Sequence, residues 1–140
     1  MPKRTTAMDR FLAKVVKTDS CWLWQAATSS EGYGAFWFEG ALTPAHRWLY
    51  GQTVGPLEDG SHIDHLCRVR SCVNPSHLEQ VSERTNILRG EGPCAENARK
   101  DSCVHGHPYS LTNTRIRPDG KRACRTCARE DSRRRRLIDA

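Results

Sequence analysis

IDHLCRVRSCVNPSHLE, residues 63–79, is the stretch on which the reading of this chain turns. It carries Cys67, Cys72 and His77 in a Cys-x4-Cys-x4-His pattern, and Cys21 upstream is available as a fourth side chain of the same kind. Zinc takes tetrahedral sulfur and nitrogen ligands, and closed four-ligand sites are structural. One ion on this set would tie the segment around Cys21 to the loop. Apolar burial of Cys21 and Cys72, with His77 merely satisfied, is the plainer account. Packing, however, gives no reason for this spacing.

Composition asks for such a staple. Of 140 residues 37% are hydrophobic, with 4 Trp, 3 Tyr and 3 Phe against 7 Cys and 6 His. The mean hydropathy is -0.69. Small domains short of apolar core lean on metals or disulfides. The odd number of cysteines argues against a disulfide framework. No apolar run approaches the ~20 residues of a membrane span, and residues 1–20 lack the apolar stretch of a signal peptide. We therefore expect an intracellular, cytoplasmic chain that meets no membrane, in which reduced, clustered Cys and His hold metal.

A second cluster lies downstream: Cys103-x3-His107, then Cys124-x2-Cys127, separated by a stretch with a Pro118-Asp119-Gly120 turn. This is a zinc-ribbon-like Cys3His arrangement. Residues 103–127 have so few apolar side chains that folding should require the metal. His105 competes with His107, but Cys103-x-His105 is a tight bite, and His107 is preferred. Cys94 is left over without a role. The net charge of +6 is uneven: residues 1–98 hold 10 basic and 11 acidic side chains, residues 99–140 hold 12 and 5. That asymmetry points to a polyanionic partner. Arg129, Arg133, Arg134, Arg135 and Arg136 on a helical tail (128–138) would neutralise phosphates without reading sequence.

Apolar positions at Met8, Phe11, Leu12, Val15 and Val16 predict an amphipathic helix over 8–16. Two aromatic runs, CWLWQAA and YGAFWF, flank a Ser/Gly turn and predict a strand pair, with Glu39-Gly40 turning into a third strand. Thr43-Pro44 reads as an N-cap followed by proline at the first position of a helix over 45–50. A strand should end near His65, a loop follow, and a helix run over 78–88. Residues 90–102 read as a linker.

His65, Asn74 and Asn86, set among metal-ligand segments with Cys21-Trp22-Leu23-Trp24, Tyr33-Gly34 and Ala45-His46-Arg47, resemble the HNH endonucleases of the ββα-metal (His-Me finger) superfamily, in their zinc-stapled His-Cys-box and phage-type branch. The resemblance covers roughly residues 8–89. It implies an α+β fold: a ββα-metal core with an N-terminal β-hairpin, and a small C-terminal zinc-binding module with a basic helix. The domains would be 1–89 (nuclease), 90–102 (linker) and 103–140 (zinc-ribbon-like DNA-binding module). It further implies that His65 is the general base that activates water. Asn86 would hold a catalytic divalent ion, Mg²⁺ with Mn²⁺ able to substitute, and Asp64 would be a second ligand. Asn74 would orient the His65 loop. Arg47 would meet phosphate or make a structural salt bridge. With two structural zincs, the expected activity is hydrolysis of double-stranded DNA. A zinc-stabilised DNA-binding protein without catalysis is the competing expectation. RNA as substrate stands behind both.

Overall fold

The computed structural model describes residues 5–138. It divides into two compact units, one ending at Gly90 and the other beginning at Glu91. The outer ends of the two expected domains, 1–4 and 139–140, lie outside the described residues.

The first unit opens with α1 (Ala7–Leu12). Thr6 and Asp9 cap it reciprocally, Asp9 N donating to Thr6 Oγ1 at 3.1 Å and Thr6 N to Asp9 Oδ2 at 3.0 Å, so two otherwise orphaned amides are satisfied. The helix ends four residues before the expected limit. Val15 and Val16 belong instead to β1 (Val15–Lys17), which pairs antiparallel with β2 (Trp22–Trp24), Val15 opposite Trp24. Beta-branched side chains fit that pleated position better than a helix's last turn.

The expected strand pair across the Ser/Gly turn is not formed as a ladder; a lone bridge, Thr28 to Gly34, is what remains of it. The N-terminal hairpin is β1–β2. The second aromatic run, β3 (Ala35–Phe38), pairs with β4 (Ala41–Pro44). Its turn needs positive φ at two successive residues, Glu39 at 48° and Gly40 at 83°, the requirement of a tight two-residue hairpin loop. Thr43 therefore lies in a strand and Pro44 is the cap residue of α2 (Ala45–Thr53), with no side-chain cap bond.

Next come β5 (His62–His65), a short 3-10 turn at Pro75–His77, β6 (Leu78–Val81) and α3 (Glu83–Arg89). The helix expected over 78–88 thus starts only at Glu83, behind a Ser82 cap. Leu78 and Val81 have helical spacing, but they lie in the partner strand of β5, opposite His65 and His62. The two strands and the helix packed on β5 form the ββα unit. The fold class is α+β, as expected.

Seven buried residues form the core: Phe11, Trp24, Phe36, Ala45, Trp48, Leu49 and Val73. Phe11 packs at its centre with Phe36, its ring centroid 4.9 Å from Trp24, 5.0 Å from Phe36 and 4.8 Å from Trp48. Gly34 is required beside it, because a Cβ there would lie 2.7 Å from Trp24 Cγ and 3.0 Å from Ala45 Cβ. The core holds β2 in place for the loop beyond β5: Trp24 N donates to Ser71 O (2.9 Å) and Val73 N to Trp22 O (2.8 Å).

In the second unit, the stretch expected as linker holds α4 (Pro93–Arg99), with Ala95 fully buried. A hairpin follows, β7 (Thr114–Ile116) with β8 (Arg122–Cys124), turning through 117–120. It runs directly into α5 (Arg125–Ile138), a helix with no buried residue.

Candidate active site

The first metal-ligand set is assembled from three places. Cys21 precedes β2, Cys67 and Cys72 lie in the loop after β5, and His77 closes the 3-10 turn. Their ligand atoms all lie within 4.8 Å of one another, with His77 Nδ1 3.6 Å from Cys21 Sγ and 3.7 Å from Cys72 Sγ. Three sulfurs and one imidazole nitrogen at this separation suit a tetrahedral zinc. Asn74 clasps the arrangement. Its Nδ2 donates to Ser20 O at 2.9 Å, beside Cys21, and its Oδ1 accepts from Ser76 N at 3.1 Å, beside His77.

His65 ends β5 and is 6% exposed. Its Nε2 lies 3.0 Å from the carbonyl oxygen of Cys72. A carbonyl can only accept, so Nε2 carries the proton and Nδ1 keeps the lone pair. The metal-ligand loop thereby fixes the tautomer as well as the position of this ring. Two rings wall it, His46 at 4.8 Å and Tyr33 at 5.6 Å between centroids. Burial pushes the His65 imidazole below its ordinary range, against the opposing pull of the Cys72 carbonyl and Asp64. It is neutral near pH 7, as a base must be.

Asp64 alternates to the other face of the strand. It is 4% exposed, and Arg68 and Arg89 both bond its carboxylate. Asn86 lies half-buried on α3, three residues before Arg89 and so on the same helix face. Since Arg89 reaches Asp64, that face is the one turned to β5. Arg47 makes no ion pair among the described residues; its Nη1 donates to Ser61 O at 3.2 Å, just before β5.

His46 was not singled out by sequence reasoning. It is 7% exposed and its Nδ1 has no partner among the described residues. Burial, with the nearby His65 and Arg47, pushes its pKa to about 3. Tyr33-Gly34 and Ala45-His46-Arg47 are among the residues that carry the resemblance, but the sequence assigns His46 no role.

The second set, Cys103, His107, Cys124 and Cys127, has the same compactness, every ligand atom within 4.8 Å of the others. His107 Nδ1 is 3.3 Å from Cys127 Sγ and 3.6 Å from Cys103 Sγ. His105 Nδ1 also comes within 3.3 Å of Cys127 Sγ, but His107 is the histidine in contact with three of the sulfurs. Asn113, also missed from sequence, ties this unit together: Nδ2 donates to Pro108 O at 2.8 Å, and Oδ1 accepts from Thr126 N at 3.0 Å. Arg129, Arg133, Arg134, Arg135 and Arg136 are all exposed on α5, and Cys94 is exposed on α4. Among the described residues no helix is long and apolar enough to cross a membrane.

Residues 43–88 match the model of the HNH endonuclease family. Among curated proteins the chain is similar to Protein 7.7 of Escherichia phage T7, 34% identical over 49% of this chain and 52% of that protein. It is also similar to the uncharacterized gene 5.3 protein of Enterobacteria phage T3, 43% identical over 31% of this chain and 44% of that protein. Protein 2.8 of Escherichia phage T7 is 32% identical over 56% of this chain and 55% of that protein. The chain spans about half the length of the curated relatives it matches. No solved structure matches it. Residues 43–88, the segment that matches the HNH endonuclease family, carry His65, the Cys67, Cys72 and His77 ligand loop and Asn86.

Proposed function

We propose that this chain is a divalent-metal-dependent endonuclease that hydrolyses phosphodiester bonds in double-stranded DNA, nicking it or cutting both strands. The observation that carries the reading is His65. It is a buried, neutral imidazole whose Nε2–H is anchored on the Cys72 carbonyl, leaving the Nδ1 lone pair to take a proton. Such a group 2.6–3.2 Å from a water would act as general base.

The Cys3His sets fit structural zinc, and two zincs per chain would hold the loop behind His65 and the fold of the second unit. Asp64 and Asn86 offer hard oxygen donors of the kind Mg²⁺ or Mn²⁺ prefers. A divalent ion held there supplies Lewis acidity toward negative charge on the scissile phosphate and the leaving oxygen. His65 takes the proton of the attacking water at Nδ1, and the products carry 5′-phosphate and 3′-hydroxyl ends. Arg47, bonded to the Ser61 carbonyl just before β5, meets the phosphate or serves as a structural residue in this reading. Residues 1–89 are the nuclease domain in this reading. Residues 103–140 form the DNA-holding module, with α5 laying five arginines along the backbone. The compartment is the cytoplasm of a bacterium or a phage-infected host.

The test is a supercoiled plasmid incubated with zinc-loaded protein and Mg²⁺, Mn²⁺ or Ni²⁺, followed by end mapping. Metal-dependent nicked or linear product with ligatable 5′-phosphates supports the reading. Protein that shifts DNA yet cuts it under none of these ions is a DNA-binding protein without catalysis. Removing residues 128–140 should weaken DNA binding and flatten its salt dependence; an unchanged slope moves the footprint off α5.

A further inference from the structure

Both oxygens of the buried Asp64 carboxylate are taken by guanidinium groups. Arg68 bonds Oδ1 at 2.7 Å and Arg89 bonds Oδ2 at 3.3 Å. The two arginines come from different elements. Arg68 lies in the turn after β5 with φ of 59°, a left-handed conformation that costs a non-glycine residue energy. Arg89 ends α3, and its guanidinium is shared with Glu79 on β6. Arg68 also donates to the Arg89 carbonyl at 3.4 Å, so turn and helix end converge on one carboxylate. Yet the arginines themselves keep solvent access, Arg68 at 56% and Arg89 at 37%, around a carboxylate one residue along the strand from His65.

Two cations and two carboxylates balance in the free protein. A divalent cation on Asp64 would compete for the oxygens that the guanidiniums hold, and would leave the Arg68 fork without its carboxylate and Arg89 with Glu79 alone. The substrate brings an anion to this place, because a phosphate presents the same paired oxygens as a carboxylate to an arginine. We infer that Arg68 and Arg89 are phosphate-binding residues of the DNA complex which, in the free protein, guard the Asp64 carboxylate, so that DNA and divalent cation bind this site cooperatively. The inference rests on the reading of Asp64 as a cation ligand. By linkage, whatever DNA does for the affinity of the cation, the cation does for the affinity of DNA.

The experiment measures Mn²⁺ affinity by electron paramagnetic resonance on full-length, zinc-loaded protein, without DNA and with a duplex. The His65→Ala background prevents turnover when DNA is present. Without DNA, Arg68→Gln with Arg89→Gln should tighten Mn²⁺ binding about tenfold, since two charge-assisted bonds no longer compete. Arg84→Gln, which removes one charge elsewhere on α3, should alter it less than about twofold. Adding duplex should tighten Mn²⁺ binding to the parent protein and barely change it in the paired variant. DNA affinity of the paired variant should fall, with the salt slope lower by about 2.

Equal Mn²⁺ affinity in the paired variant and the Arg84→Gln control overturns the inference, as does an unchanged DNA salt slope. Asp64→Asn separates the two levels. Saturable Mn²⁺ binding that Asp64→Asn abolishes but the arginines leave alone defeats only the guard. Mn²⁺ binding indifferent to Asp64→Asn defeats the ligand reading, and the guard with it. Should the glutamine pair not fold, Arg68→Lys with Arg89→Lys keeps the charge and removes the paired fork. A tightening of at least about threefold supports the guard and no change overturns it.

Discussion

Replacing Asn74 by alanine removes two hydrogen bonds at the first metal-ligand set, one of which joins residues 54 apart in the chain. The Nδ2 bond to Ser20 O clasps the segment bearing Cys21 onto the loop; the Oδ1 bond from Ser76 N caps the turn that ends in His77. Each such bond is worth about 0.5–1.5 kcal/mol net, so the pair sets a range of roughly 1–3 kcal/mol. Ser20 is exposed, and water will satisfy its freed carbonyl. The expected loss is therefore in the lower half, about 1–1.5 kcal/mol. Asn74→Asp divides the two contributions, because aspartate still accepts from Ser76 N but has no proton for Ser20 O. It should keep the cap and lose the clasp, at a cost of at least about half that of Asn74→Ala because two acceptor oxygens then face each other. Urea denaturation at saturating zinc measures the stability. Competition with a chromogenic chelator measures zinc release, which both variants should accelerate because Cys21 is no longer held against the other three ligands. Stability within about 0.5 kcal/mol of the parent for both variants, with unchanged release, would refute the clasp.

Three other substitutions or treatments follow from the same geometry. Gly34→Ala places a Cβ 2.7 Å from Trp24 Cγ with Ala45 on its other side, and should cost about 1–3 kcal/mol in thermal or denaturant unfolding; a neutral substitution would mean the core yields there. His46 titrates at about 3 in the folded protein against 6.5 for the free side chain. The unfolded chain therefore takes up the proton first, and stability falls as pH drops from about 6.5 toward 3, by up to about 1.4 kcal/mol per pH unit. His46→Phe should flatten that part of the stability–pH curve relative to the parent at equal zinc content, and parallel curves would show that His46 contributes nothing to it. Metal analysis should find about two zincs per chain; stripping them should abolish the secondary structure of residues 103–127, read by circular dichroism of the isolated signal change, whereas an unaltered spectrum would remove the second zinc from the account.

What the sequence made legible was chemistry at fixed spacing. Cys67, Cys72 and His77 lie close together in the chain, and Cys103, His107, Cys124 and Cys127 form two short pairs, so local geometry alone brings most of each set together. The strand ending at His65 and a helix bearing Asn86 were legible for the same reason. Boundaries were not, where one apolar pattern serves two structures. Leu78 and Val81 are three apart, which suits a helix, but pairing opposite His65 and His62 decided for a strand. Val15 and Val16 likewise extended a helical stripe on paper and lie in β1, where Trp24 pairs with Val15. Contacts that exist only in three dimensions were invisible. His46 and Tyr33 acquire meaning because β3, α2 and β5 bring them against His65. Asn113 reads as a loop residue until its amide is seen bonding Pro108 and Thr126. Arg68 and Arg89, 21 residues apart, carry no signal in the sequence that both bond Asp64.

The central claim is that His65 is the base of a metal-dependent DNA nuclease, and one comparison tests it: the cleavage rate of supercoiled plasmid by zinc-loaded parent and His65→Ala protein in Mg²⁺. General-base catalysis contributes about 10²–10⁴-fold. The account predicts cutting by the parent and a loss of at least about a hundredfold in the variant, at equal zinc content and equal DNA affinity. Plasmid cut at the same rate by both proteins would contradict it.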